Sequence, residues 1–286
     1  MNLTSPLSIV LAGGGCRAFW TLGVVEQLRG DLPPVFEWAG VSAGAAMALL
    51  HLAGNARDEV VHFERLTAAN PRNVYPGRLL AGRTPFPHEA MYRAALHHAL
   101  QGDAFQRLSG TPPLRILHAF IEAGHPRYST AARALWEYWQ HRRRGDLHGG
   151  EHPPRGLGWS VFTAQQARSA DELVDAILTS SASPPVTPSV ERDGRLFLDG
   201  GLVDNAPLRA LSPAARAGRV IVLLTREQHA NVATVLKTAS RLYLGPSTPT
   251  PVAKFDYTSP HRVRATFELG LRDGERWRKV VREFVG

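Results

Sequence analysis

Gly40-Val41-Ser42-Ala43-Gly44 spells G-x-S-x-G, a spacing that can turn a serine into a nucleophile. The apolar run at 35–39 reads as a short strand, and the Ala/Leu-rich run at 43–53 reads as a helix stopped by Gly54-Asn55. Ser42 then falls at a sharp strand-to-helix turn. Gly40 and Gly44 allow the close chain approach such a turn needs, and the free N–H groups of the following helix favour developing negative charge. A base for that serine is offered by Asp199-Gly200-Gly201, delivered by the apolar run 195–198. Two glycines after an aspartate can leave its carboxylate clear of the backbone, where it could reach a hydroxyl.

A third constellation lies near the N-terminus. The apolar strand 7–11 runs into Gly13-Gly14-Gly15-Cys16-Arg17-Ala18 and then a helix with Phe19, Leu22, Val25 and Leu28 on one face. Such a strand, glycine loop and helix cradles anions on backbone N–H groups. The string also satisfies the dinucleotide fingerprint G-x-G-x-x-A, but that site wants an acid closing the second strand. Asp31 precedes that strand and Glu37 lies inside it, while the strand runs into the serine turn. An oxyanion hole over Ser42 fits better, with N–H groups around Gly14, Gly15 and Cys16 as donors and Arg17 holding the loop.

Together these residues resemble the patatin-like phospholipases. That family carries G-G-G-x-R/K-G, then G-x-S-x-G, an Ala/Ser/Pro segment, and D-G-G or D-G-A followed by N-x-P. The counterparts are Gly13-Gly14-Gly15-Cys16-Arg17, Gly40 to Gly44, Ser180-Ser181-Ala182-Ser183-Pro184, and Asp199-Gly200-Gly201 with Asn205-Ala206-Pro207. The likeness spans about the first 210 residues; 219–224 and 267–271 extend it weakly. Ala18 stands where the family carries glycine, and the 124–157 region is long and idiosyncratic.

The resemblance implies a three-layer α/β/α fold with a mostly parallel central sheet. It also implies a Ser42–Asp199 dyad without histidine, cleaving lipid esters as a phospholipase A or lysophospholipase does, with no metal and no cofactor. Two alternatives stay open. One is a Ser-His-Asp hydrolase using His229 or His261, although its serine turn normally follows several strands. The other is a lipid- or partner-binding module without turnover. A nucleotide-dependent oxidoreductase built on the first loop is the weaker rival from another class.

The remaining sequence must carry these pieces. A length of 286 with 44% hydrophobic residues suits one domain over 1–286 with ample core. The lone Cys16 excludes an intramolecular disulfide framework and a cysteine zinc cluster. The first residues lack a basic leader, and the apolar run 9–12 is too short for a signal or a span, so a cytoplasmic protein is expected. The net charge of +8 is carried by scattered arginines. It admits contact with an anionic membrane surface, while the absence of a recognisable module argues against nucleic acid.

Helices are expected at 57–69, 87–100, 130–141, from 171 onwards and, by amphipathic spacing, at 231–244. A strand is expected at 114–122. The pair His97 and His98 reads as polar contacts rather than ligands. The Gly/His/Pro-rich stretch 142–154 reads as a basic loop, with a headgroup contact as its functional alternative. A basic amphipathic helix at 272–285 carries Trp277, Val280, Val281, Phe284 and Val285 on one face. It either packs on the domain or docks a bilayer. Oligomeric state is not legible.

Overall fold

The computed structural model describes residues 5–148, 152–226 and 235–286. In chain order the elements are β1 (Leu7–Leu11), α1 (Phe19–Leu28), β2 (Val35–Gly40), α2 (Ala43–Ala53), α3 (Ala56–Ala68), α4 (His88–Ala99) and α5 (Ala104–Arg107). There follow β3 (Leu114–Ile121), α6 (Arg127–Arg144), β4 (Leu157–Thr163), α7 (Ala170–Ser180), β5 (Val190–Arg192) and β6 (Arg195–Leu198). The chain closes with α8 (Pro213–Ala217), β7 (Arg219–Leu223), β8 (Val235–Lys237), β9 (Arg241–Leu244) and α9 (Pro260–Val285).

The apolar run of β1 pairs on both edges, with β2 on one side and β7 on the other, both parallel. A strand buried on two faces needs such a continuous hydrophobic run. Parallel pairing continues outwards to β3 and β9, so the centre of the sheet reads β3-β2-β1-β7-β9. The antiparallel strands β4, β5, β6 and β8 complete the nine-stranded sheet.

Leu7, Ile9 and Leu11 face one core, built with α1, α2, α3, α4, α7 and α9. Val10 and Ala12 face a second, covered by residues 206–215. The sheet is therefore mixed but mainly parallel and flanked by helices, with one covering layer much thicker than the other.

One feature of β3 positions the chemistry. β4 runs along one of its edges from Arg115 to Ile121. The other edge is shared: β2 occupies it at 114–116 and β6, running the opposite way, at 119–121. β2 and β6 thus point their C-terminal ends at each other. What leaves β2 is Ser42, and what leaves β6 is Asp199.

Two expectations are corrected, and one strand comes without any. The expected helix over 231–244 is instead, in its described part, the hairpin of β8 and β9, because Leu242 and Leu244 pair with Ile221 and Leu223 on the sheet edge. Helical spacing there gives way to tertiary pairing; residues 231–234 lie outside the described residues. The C-terminal helix begins at Pro260, not 272, with the proline in its first turn. β4 carried no expectation at all: its apolar residues are interrupted by Gly158 and Ser160, and it forms on the edge of β3.

α9 packs along α1 through small residues. A Cβ at Gly23 would lie 2.2 Å from the Phe267 carbonyl oxygen, and one at Gly270 would lie 2.1 Å from that of Trp20. Trp277, Val281 and Phe284 are buried, so the apolar face of this helix is spent on the domain.

Candidate active site

Ser42 leaves β2 with φ 53° and ψ −133°, a left-handed conformation that costs a non-glycine residue energy and persists only where neighbours over-determine it. Those neighbours are visible. A Cβ at Gly40 would meet Ala45 Cα at 2.5 Å, and one at Gly44 would meet the Leu11 carbonyl oxygen at 2.3 Å. α2 is thus pressed against the strand ends, and only glycine fits on either side of the serine. The Ser42 N–H donates to Ser180 Oγ at 2.9 Å, and that hydroxyl donates to the Leu117 carbonyl at 2.7 Å, tying the turn to β3. Tyr92 donates to the Ser42 carbonyl at 3.5 Å from below. Burial raises the Tyr92 phenol well above its ordinary pKa, with the charge of Asp199 adding to the effect.

The glycine loop lies against this turn. A Cβ at Gly13 would fall 3.4 Å from Ser42 Cβ. The Gly13 N–H donates to the Asn205 carbonyl at 3.1 Å, and the Cys16 N–H donates to the Lys254 carbonyl at 3.0 Å. Cys16, expected among the oxyanion donors, therefore has its N–H engaged. Among the described residues, the N–H groups of Gly14 and Gly15 have no protein acceptor. Both positions require glycine: a Cβ at Gly14 would sit 2.4 Å from Thr225 Oγ1, and Gly15 adopts φ +58° with the Lys254 carbonyl oxygen 2.0 Å from a Cβ.

Arg17 does hold the loop, its Nε donating to the Gly14 carbonyl at 3.3 Å. Burial, and then the charge of Arg226, bring its guanidinium pKa down to about 10. The Cys16 thiol donates to the Asp256 carbonyl, and burial pushes its pKa far up.

Asp199 follows β6. Its Oδ1 accepts the Gly201 N–H at 2.8 Å, its Oδ2 accepts the Ser183 hydroxyl at 2.9 Å, and its own N–H donates to the Ala182 carbonyl at 2.6 Å. A Cβ at Gly200 would lie 2.3 Å from the Leu117 carbonyl oxygen and 2.8 Å from Val41 Cγ2, so the two strand ends abut. Asn205 spans the gap: its Oδ1 would lie 2.9 Å from a Cβ at Gly13 and 2.8 Å from one at Gly201. The three motifs, separate in sequence, thus share one site. Ser180, Ser183, Tyr92, Asn205 and Thr225 complete it. Of these, only the Ser/Ala/Pro segment and the N-x-P had a sequence signal, and neither disclosed its contacts.

Residues 9–212 match the profile of the patatin-like phospholipase family. The chain belongs to the patatin-like phospholipase family. No curated protein sequence matches it. Among solved structures it is similar to human GIVD cytosolic phospholipase A2, with TM-score 0.57 and 9% identity over 99% of this chain and 62% of that one. VipD from Legionella pneumophila aligns over 96% of this chain and 67% of that one, with TM-score 0.46 and 11% identity. The chain thus spans less than two thirds of the phospholipase A2 chain, and that likeness bears on the fold.

Within this family member the rival residues have other duties. Glu37 is buried and accepts hydrogen bonds from Arg115 and from the Ser212 N–H at 2.8 Å. Asp31 pairs with Arg278 and Arg282 of α9. Neither is disposed to hold a ribose. His229 lies outside the described residues, and His261 is exposed in the first turn of α9. No imidazole hydrogen-bonds Ser42 or Asp199 among the described residues. His98 pairs with Glu59 and stacks on His62, while His97 lies 3.6 Å from Asp171. No described helix is long and apolar enough to cross a membrane.

Two cavities flank the glycine loop and differ in character. One, about 30 Å³, is lined by Gly15, Cys16, Ala43, Met47, Tyr92 and Leu96. The other, about 200 Å³, is lined by Gly201, Asn205, Thr225, Tyr138, Arg142 and Arg226.

Proposed function

We propose that the chain hydrolyses carboxylic esters of lipids through Ser42 and Asp199. The observation that carries the reading is the strained Ser42, set between a glycine loop with two unengaged N–H groups and a carboxylate held by two hydrogen bonds. Ser42 Oγ attacks the ester carbonyl carbon and its proton passes to the Asp199 carboxylate. The carbonyl oxygen takes the electron pair and is stabilised by the Gly14 and Gly15 N–H groups. The C–O bond to the alcohol then breaks, and that oxygen receives the proton from Asp199. Water, giving its proton to Asp199, attacks the acyl-enzyme carbonyl; the bond to Ser42 Oγ breaks, Oγ takes the proton back from Asp199, and the acid leaves.

An aspartate is a weak base, so donors that lower the serine barrier matter as much as the dyad. Gly40 and Gly44 make the turn possible; Gly13, Gly200 and Gly201 make the approach of the carboxylate possible. The test is hydrolysis of lysophospholipid and of a medium-chain p-nitrophenyl ester. Ser42→Ala and Asp199→Asn should each lower kcat about a thousandfold or more. Undiminished turnover in either, with the fold intact, contradicts the assignment.

The domain over 1–286 is read as single. β7 and β9 continue the same sheet beyond the family match, and α9 packs on α1. The 124–157 stretch is read as an insertion, and a cytoplasmic location follows as part of this proposal. Peripheral contact with an anionic lipid surface is assigned to α6 rather than to α9. The outward stripe of α6 exposes Tyr128, Leu135, Trp136 (61%) and Trp139 (48%) beside Arg143 and Arg144. Aromatic rings with adjacent cations suit an anionic interface.

A further inference from the structure

The smaller cavity is walled mainly by apolar side chains. α2 contributes Ala43, Met47 and Leu50, which share one face of the helix, and α4 contributes Tyr92 and Leu96. Among the described residues that line it, the one charged side chain is Glu59 of α3. Glu59 is only 2% exposed. Its Oε1 is hydrogen-bonded to His98 Nδ1 at 2.5 Å, while its Oε2 is buried with no hydrogen-bond partner among the described residues.

Helix geometry fixes where this carboxylate lies relative to the nucleophile. α2 starts at the residue after Ser42, and Tyr92 of α4 reaches the Ser42 carbonyl, so both walls begin at the serine turn. Leu50 lies seven residues along α2 from Ala43, and His98 lies six residues along α4 from Tyr92. At 1.5 Å per residue, both therefore lie roughly 10 Å from the serine turn. The two helices meet at that far end, where Asn55 Nδ2 donates to the Ala99 carbonyl at 2.9 Å, and the chain turns there into α3 and Glu59. An acyl chain that enters from Ser42 meets alkyl and aromatic side chains first and a carboxylate last.

A carboxylate in such a place is costly unless its lone pairs are used. Burial raises the Glu59 carboxyl pKa, and the hydrogen bond to His98 opposes this only in part. His62 stacks on His98 with 3.7 Å between ring centres and backs that ring, so Oε1 is committed and Oε2 is the spare acceptor. Any water that solvates Oε2 must leave when an alkyl chain fills a recess of about 30 Å³, which takes one unbranched chain at most. A chain ending in methyl strands the oxygen. A chain ending in hydroxyl restores the hydrogen bond, and it does so in either protonation state of Glu59, because a hydroxyl both donates and accepts.

We propose that Glu59 is a specificity-determining residue at the far end of the acyl recess, and that it selects acyl chains bearing a terminal hydroxyl. The inference rests on the hydrolase reading, and it narrows the substrate class to lipid esters with a hydroxylated acyl tail.

The test uses p-nitrophenyl esters of the ω-hydroxy acids from hexanoic to decanoic, each paired with the ester in which a methyl group replaces the hydroxyl. Release of p-nitrophenol is followed in the wild type, and binding of the same esters is measured by calorimetry on the inactive Ser42→Ala protein. At the chain length that spans the recess, the hydroxy ester should exceed its methyl partner roughly ten- to hundredfold in kcat/KM and in affinity, the scale of a hydrogen bond to a charged group. Glu59→Leu should abolish the preference, and a buried carboxylate exchanged for an apolar residue of similar size commonly leaves a protein folded. Glu59→Gln still hydrogen-bonds and should keep part of the preference, which separates recognition of the hydroxyl from a change in packing.

Turnover of the methyl esters with no hydroxyl preference at any length overturns the proposal and leaves the hydrolase reading standing. So does a preference that survives Glu59→Leu. A preference in binding that depends on Glu59, in a protein whose wild type turns over no ester, supports the assignment of the recess and rejects the hydrolase reading.

Discussion

Ser42 is held in a left-handed conformation by a serine 138 positions further along the chain. Ser180 Oγ accepts the Ser42 N–H and donates to the Leu117 carbonyl, and it is fully buried. Ser180→Ala strands both groups, and an unsatisfied buried partner costs about 1–3 kcal/mol. Urea denaturation should register a loss in that range, and ester turnover should fall with it as the turn relaxes. Gly15→Ala combines a positive φ with a backbone clash at Lys254, and loss of an oxyanion donor should cost about a hundredfold or more in kcat. Cys16, buried and with its thiol pKa raised, should resist thiol reagents at pH 8 in the native protein and react only on unfolding. Rapid labelling of the folded chain would contradict that. Ser42, Asp199 and the glycines were legible in the sequence because each motif is local. Ser180 and Asn205 stood out as motif residues without disclosing their contacts, and Thr225 and Lys254 gave no signal, because each acts on a residue far away in the chain. The engagement of the Cys16 N–H by Lys254 is the same lesson: a loop's composition does not say which of its donors are already taken.

Two amphipathic helices invite a membrane reading, and packing separates them. α9 buries Trp277, Val281 and Phe284, and Trp20 donates to its Asp273 at 2.8 Å. Gly270→Leu should therefore destabilise the whole domain by roughly 1–3 kcal/mol or more through overpacking against α1, measured as a lower midpoint in denaturant. α6 instead leaves Trp136 and Trp139 exposed, so sedimentation with vesicles containing anionic lipid should lose most bound protein in the Trp136→Ala/Trp139→Ala double variant. Binding that persists there but is lost when the exposed Leu79 and Leu80 become serine would move the contact to that loop. At this scale the sequence yielded most helices and the central strands, since their apolar periodicity is strong. It missed β4 and misread the β8–β9 hairpin because edge strands take their conformation from the sheet they join.

The molecule as a whole works by letting β2 and β6 share one edge of β3, which brings a motif at 42 and a motif at 199 to one point. That arrangement was not legible from spacing; it depends on the antiparallel return of β6. β3 also carries His118, buried, its Nε2 donating to the Ala176 carbonyl at 2.8 Å. Burial lowers its pKa to about 4 from an ordinary 6.5, so the unfolded chain binds the extra proton first as pH falls. Stability should then decline as pH drops through the window from about 6.5 to 4, by on the order of 3 kcal/mol from this group. His118→Gln should flatten that slope in denaturation curves recorded across the window. Activation of Ser42 by Asp199 is the step on which hydrolysis turns. It is tested most directly by treating the folded protein with an alkyl fluorophosphonate and locating the adduct by peptide mass, in wild type and Asp199→Asn. An adduct on Ser42 that is lost or greatly slowed in the variant is expected. No adduct in folded wild type, or one formed equally fast without the carboxylate, would contradict it.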